Sequence, residues 1–187
     1  MRTYRKRLGF RSQGPDRVPC SRGVHERFER AGGVDRVISV RRAAPDDSAT
    51  VFAWRNDEAT RIASVSHDVV EWADHETWYD AALADPQRYL YLALEGDDRA
   101  GLVRFDVAPE GSAEVSINLN PDFRGRGLAR PILAAAIDAF RGEGAGALEL
   151  TATIRPENVA SIKTFESMGF VSSGSGEQLE HYVLASV

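Results

Sequence analysis

Three apolar runs follow one another, joined by connections too short to hold a helix, and lead directly into a glycine-rich loop and a helix-period segment. The runs are Tyr89-Leu90-Tyr91-Leu92-Ala93-Leu94, Gly101-Leu102-Val103-Arg104-Phe105 and Glu114-Val115-Ser116-Ile117-Asn118-Leu119. Between them lie the turn signals Glu95-Gly96-Asp97-Asp98 and Pro109-Glu110-Gly111. Parallel strands need a long crossover, so such turns predict an antiparallel meander. Leu128, Ile132, Leu133, Ile137 and Phe140 then recur on one helical face, and Gly142 to Gly146 ends the helix.

The flanking segments extend the pattern. Val37-Ile38-Ser39-Val40 predicts a first strand, and Pro45-Asp46-Asp47 opens a helix bearing Val51, Phe52 and Trp54. Asp74 is expected to cap a second helix that turns Trp78, Ala82 and Leu83 inward and ends at Asp85-Pro86. Downstream come a strand over Leu148 to Ile154, a helix capped by Asn158 with Val159, Ile162, Phe165 and Met168 on one face, and a last strand over Leu179 to Leu184. The expected order is β-α-α-β-β-β-α-β-α-β, a mixed α/β sheet of α+β type.

Charge marks a boundary inside the 187 residues. Residues 1–36 carry ten Arg or Lys against four acids, +6 in a chain of −5, leaving −11 for residues 37–187. Gly, Ser and Pro interrupt the basic segment without periodicity, so it is expected to be a disordered tail, and 37–187 one domain. The acidic body argues against nucleic acid as a partner, because phosphate binding needs a basic face. A contact through the basic tail is the exception. No apolar run is long enough to span a membrane and none follows the basic start as a secretory signal requires, so a cytoplasmic protein is expected. The single Cys20 and the scattered His25, His67, His75 and His181 suggest no disulfide framework and no metal site.

The chemistry is expected in the loop Asn120-Pro121-Asp122-Phe123-Arg124-Gly125-Arg126-Gly127-Leu128-Ala129. Two glycines let backbone approach a ligand closely, and the first N–H groups of the following helix are unpaired at the positive end of its dipole. The loop is thus a candidate diphosphate cradle. It lacks the Lys-Ser/Thr of a nucleotide triphosphatase and the third glycine of the dinucleotide fingerprint.

Arg124-x-x-Gly127-x-Ala129 resembles the acetyl-CoA loop of the GCN5-related N-acetyltransferases (GNAT), and Asn158-x-x-Ser161-x-x-x-Phe165-x-x-x-Gly169-Phe170 resembles their second cofactor helix. The resemblance implies a GNAT fold with splayed central strands and acetyl-CoA as cosubstrate. It assigns cofactor contacts to Ile117, Asn118 and Leu119 on the third meander strand, to Arg124, Gly125, Arg126, Gly127, Leu128 and Ala129 in the loop, and to Asn158, Ser161 and Phe165. Glu114 matches the position of a carboxylate base, and a backbone N–H near Ile117 would stabilise developing negative charge. Many relatives place a tyrosine acid at Phe165, which has no proton to give. Tyr89, Tyr91 and Tyr182 are other candidates, as is water.

Trp54-Arg55-Asn56 with His75-x-x-Trp78 resembles enzymes acetylating nucleotide-linked amino sugars, as in the pseudaminic-acid pathway. Trp54, Arg55, Asn56 and His75 are therefore candidate acceptor-binding residues for a small-molecule amine, and core packing is the competing role of both tryptophans. Arg61, Arg104 and Trp72 are available for a nucleotide. Protein N-terminal or polyamine acetylation and a non-catalytic acyl-CoA sensor are the alternatives. The resemblance also admits a homodimer.

Overall fold

The computed structural model describes residues 24–28, 36–144, 149–176 and 178–184, the side chains of 24–28 and 36 excepted. Its strands are β1 (Val24–Phe28), β2 (Arg36–Arg42), β3 (Arg88–Glu95), β4 (Asp98–Val107), β5 (Ser112–Leu119), β6 (Glu149–Ile154), β7 (Val171–Ser175) and β8 (Glu180–Leu184). Its helices are α1 (Ser48–Asn56), α2 (Glu58–Ala63), α3 (Trp72–Ala84), α4 (Ala129–Gly142) and α5 (Val159–Ser167). They form one sheet in the order β1-β2-β3-β4-β5-β6-β8-β7. The mixed α/β class and the meander agree with the sequence.

Three elements are additional to the expected order. β1 lies within the segment read as a tail and pairs antiparallel with β2. The rest of 1–35, Cys20 included, lies outside the described residues. β7 pairs with β8 at the sheet edge, and its Val-Ser-Ser-Gly-Ser sequence is exposed throughout. An edge strand with no core face needs no apolar alternation, so no periodicity marks it. α2 is a six-residue helix whose Asp57 cap accepts the Thr60 N–H.

The sheet is covered on both faces. β3 shows why: Tyr91 and Ala93 enter the larger core, built on α4 with Ile132, Leu133, Ile137 and Phe140. Leu90 and Leu92 point oppositely, into a smaller core with Val51, Trp54, Tyr79 and Ala82 from α1 and α3. The α3 helix starts at Trp72, with Glu71 in the cap position and no side-chain cap bond. Asp74 therefore stands in the first turn, where a carboxylate favours the helix dipole without capping it.

α1 is anchored at its start. Asp47 is fully buried, accepts hydrogen bonds from both Arg41 terminal nitrogens at 2.7 and 2.9 Å and from the Ala44 N–H at 2.9 Å, and pairs with Arg99 at 3.1 Å. Burial raises the energy of its charge, but the Arg41 bonds, the Ala44 N–H and Arg99 outweigh it and hold the carboxyl below its usual range.

Candidate functional site

The sheet opens in its middle. β5 and β6 pair in parallel only at Ser112–Glu149, Ala113–Leu150 and Glu114–Thr151, and past Glu114 they have no ladder. Which backbone groups this frees follows from the bonds to β4. Ser112 O accepts from the Ala108 N–H and Asn120 N–H donates to Ala100 O, both at 2.9 Å. Backbone groups alternate in direction along a strand, so even-numbered residues of β5 are tied to β4; the Glu114–Thr151 pairing still takes the Val115 N–H, and beyond it Ile117 and Leu119 aim their N–H and C=O at the opening. Asn118 contributes differently: its side-chain oxygen accepts from Thr60 on α2.

A cavity of about 840 Å³ fills the opening. Glu114, Ile117, Asn118 and Leu119 line it from β5; Arg124, Gly125, Gly127, Leu128 and Ala129 line it from the loop; Asn158, Ser161 and Phe165 line it from α5. Gly125 and Gly127 have φ of 70° and 75°, the left-handed region that disfavours a side chain. A Cβ on Gly125 would meet nothing within 4 Å, so the loop backbone faces open space. The first intrahelical bond of α4 runs from Ile132 N–H to Leu128 O. The N–H groups of Leu128, Ala129 and Arg130 thus have no helical acceptor, while Pro131 brings none. This arrangement fits a diphosphate.

The loop is braced through Arg124, which donates to Asp57 at 2.6 Å and to the Thr60 hydroxyl. The Thr60 N–H, and after it Arg124, hold the Asp57 carboxyl below its usual range. The Arg126 side chain is absent from the cavity lining; it lies over the Phe123 ring and 3.8 Å from Glu95.

The outer wall is the connection between α2 and α3, held almost entirely by its backbone. Asn56 grips Val70 at both N–H and C=O, at 2.9 and 2.8 Å. Arg55 donates to Ser66 O at 3.2 Å, and Arg61 to His67 O at 3.2 Å. From across the opening, Arg155 donates to Ser64 O and Val65 O at 2.9 and 3.1 Å, and Asn158 to Ala63 O at 3.1 Å. Asn158 also accepts the Ser161 N–H and so caps α5 as expected. Arg155 and Thr60 were not singled out from sequence, since their partners are backbone carbonyls or residues remote in the chain.

The four acceptor candidates separate. Arg55 and His75 line the cavity, whereas Trp54 and Asn56 do not. Trp54 is core, and the Asn56 amide is occupied by Val70. His75 is buried among Phe52, Trp72, Trp78 and Tyr79, with Nε2 3.0 Å from Ser48 O. Burial lowers its pKa, the Ser48 carbonyl offsetting part of that, and the ring is neutral. Trp78 lines the cavity below Arg104, whose guanidinium stands 5.9 Å from the ring.

None of the tyrosines considered as the acid lines the cavity. Tyr91 bonds Glu143 at 3.0 Å, and Tyr89 packs on Phe140 beneath Arg42. Tyr182 bonds Glu180 at 2.7 Å, which with burial pushes its phenol up to about 12. Phe165 borders the cavity but is 2% exposed, edge-on to Phe170. Among the described residues no cluster of His, Cys, Asp or Glu could hold a metal ion, and no helix is long and apolar enough to cross a membrane.

Comparison with known proteins bears on this geometry. The family described as acetyltransferase (GNAT) domain matches residues 38–171. The L-methionine sulfoximine/L-methionine sulfone acetyltransferase of Pseudomonas paraeruginosa is 30% identical over 151 residues, covering 75% of this chain and 84% of that protein. The [ribosomal protein bS18]-alanine N-acetyltransferase of Salmonella typhimurium is 38% identical over 85 residues, 45% of this chain and 56% of the relative, so the match spans about half of its length. Spermidine N-acetyltransferase from Vibrio cholerae, solved with CoA and spermine, superposes with a TM-score of 0.70 at 18% identity, covering 80% of this chain and 95% of that one; this is a likeness of fold.

Proposed function

The chain belongs to the GNAT acetyltransferases, and from that membership we propose that it transfers an acetyl group from acetyl-CoA to the primary amine of a small molecule bound beside α1, α2 and α3. The observation that carries the proposal is the joining, in one cavity, of a phosphate-fitting loop to a strand edge with unpaired backbone groups.

The bound thioester supplies an activated acetyl group on a thiol leaving group with a free pKa of about 8.5. Loop N–H groups at Gly125 to Ala129 hold the diphosphate, and the free edge at Ile117 and Leu119 aligns the pantetheine arm. Ile117 N–H aims into the opening, where it stabilises charge on the carbonyl oxygen as the N–C bond forms. Glu114, at the last paired position of β5, takes the amine proton directly or through one water. The C–S bond breaks, and the thiolate takes its proton from water, since no tyrosine hydroxyl was found in the lining and Phe165 has none. Phe165 excludes water from one side.

A nucleotide-linked amino sugar remains one small-molecule amine of this kind, but Trp54 and Asn56, which carried that likeness, have other partners. A free-thiol assay with acetyl-CoA and a panel of amines tests the reading. We expect release with at least one acceptor, reduced about 10²- to 10⁴-fold in Glu114→Gln with acetyl-CoA affinity unchanged. Absence of acetyl-CoA binding would sink it. Binding without release for any amine would favour the sensor.

A further inference from the structure

Four arginines line the cavity: Arg55, Arg104, Arg124 and Arg155. Three have their charge or donors engaged: Arg104 stands 2.7 Å from Asp106, which pairs its charge although its buried Nε makes no aligned hydrogen bond, Arg124 bonds Asp57 and Thr60, and Arg155 bonds two backbone carbonyls. Arg55 differs. One terminal nitrogen reaches Ser66 O, and the other, Nη1, is buried with no hydrogen-bond partner among the described residues. Arg55 also makes no ion pair with a described carboxylate. Burial first and Arg61 second press against its charge, and Asp68 offsets only part of that. A guanidinium cannot shed its proton, so a buried donor of this kind calls for an anion.

We propose that the acceptor amine carries an anionic group, a carboxylate or a phosphate, and that Arg55 binds it as the cavity's specificity-determining residue. This rests on the acetyltransferase reading and deepens it. An anion against the cavity face of Arg55 neutralises a charge that has no carboxylate partner, and charge-assisted bonds to such a group are roughly twice as strong as neutral ones. Asp74 and Glu114 line the same cavity, and their carboxylates favour the amine of such a ligand. A purely cationic polyamine would instead leave Arg55 unmatched and set like charge against it.

The test uses acceptors paired by the presence of the anion: L-methionine with L-methioninamide, glucosamine 6-phosphate with glucosamine, and spermidine as a cationic reference. In the full chain with saturating acetyl-CoA, we expect kcat/KM to favour one anionic member at least twentyfold. The two pairs distinguish carboxylate from phosphate. Arg55→Gln should reduce that preference at least tenfold through KM, leaving acetyl-CoA affinity unchanged, and Arg55→Lys should retain part of it. Arg61→Gln, which also loses a bond to the α2–α3 connection, controls for loosening of that wall and should keep the preference. If no acceptor turns over, thermal-shift protection by each compound decides in the same way. Equal response to both members of each pair, spermidine as the best acceptor, or a preference untouched in Arg55→Gln overturns the proposal. Failure to bind acetyl-CoA would instead strike the acetyltransferase reading.

Discussion

Replacing Asp47 with alanine deletes the acceptor for two Arg41 bonds and the Ala44 N–H, and strands Arg99 beside Arg41. Hydrogen bonds to charged groups contribute about 1.5–3 kcal/mol each, but both arginines are 41% exposed and can recover water, so their share must be discounted. The half-buried Ala44 N–H loses its acceptor as well. The net loss is about 3–4 kcal/mol, within the range for breaking a buried pair from one side. For a chain of this length that lowers Tm by about 6–16 °C. Asp47→Asn keeps an acceptor for Ala44 and should lose about 2 kcal/mol. Urea denaturation of Asp47→Ala, Arg41→Ala and the double variant measures the coupling, expected at about 1–2 kcal/mol. The pH dependence has a definite sign. The folded pKa lies below the unfolded value of about 3.9, so the stabilisation is complete above that value and is lost as pH falls through the folded pKa. Asp47→Ala should lack that acid-limb loss. A stability change under about 1 kcal/mol, or strict additivity, would refute the account.

Gly101→Ala places a Cβ 2.9 Å from Asn118 O and 3.1 Å from Leu119 Cδ2, so β5 must move; we expect a loss of about 1–3 kcal/mol in urea denaturation together with weaker acetyl-CoA binding. His75 is held neutral by burial, so its folded pKa lies below the unfolded value of about 6.5 and stability should decline as pH falls below it. Replacing His75 with phenylalanine should flatten that decline in a pH series of unfolding curves.

The glycine-rich loop ahead of α4 was legible as a structure because every signal in it is local: two glycines, a strand before and a helix period after. The cap at Asn158 and the inward face of α5 at Phe165 were legible for the same reason. The wall of the acceptor side was not, because Asn56, Arg55, Arg155 and Asn158 bind backbone carbonyls, which every residue possesses and no sequence marks. Trp54 misled by spacing that serves a core equally well. Asp47 was read as a helix opener, and its second arginine arrives from β4, far along the chain.

The divergence of β5 from β6 leaves a notch in the sheet. A ligand lying in it takes the place of absent polypeptide, so occupancy repairs the architecture as well as supplying a reactant. Anything that binds only the folded form adds RT ln(1 + [L]/Kd), about 2.7 kcal/mol at a hundredfold excess over Kd. The fold would then report the abundance of its own cosubstrate, with the amides of Ile117 and Leu119 exchanging with solvent when it is scarce and protected when it is plentiful.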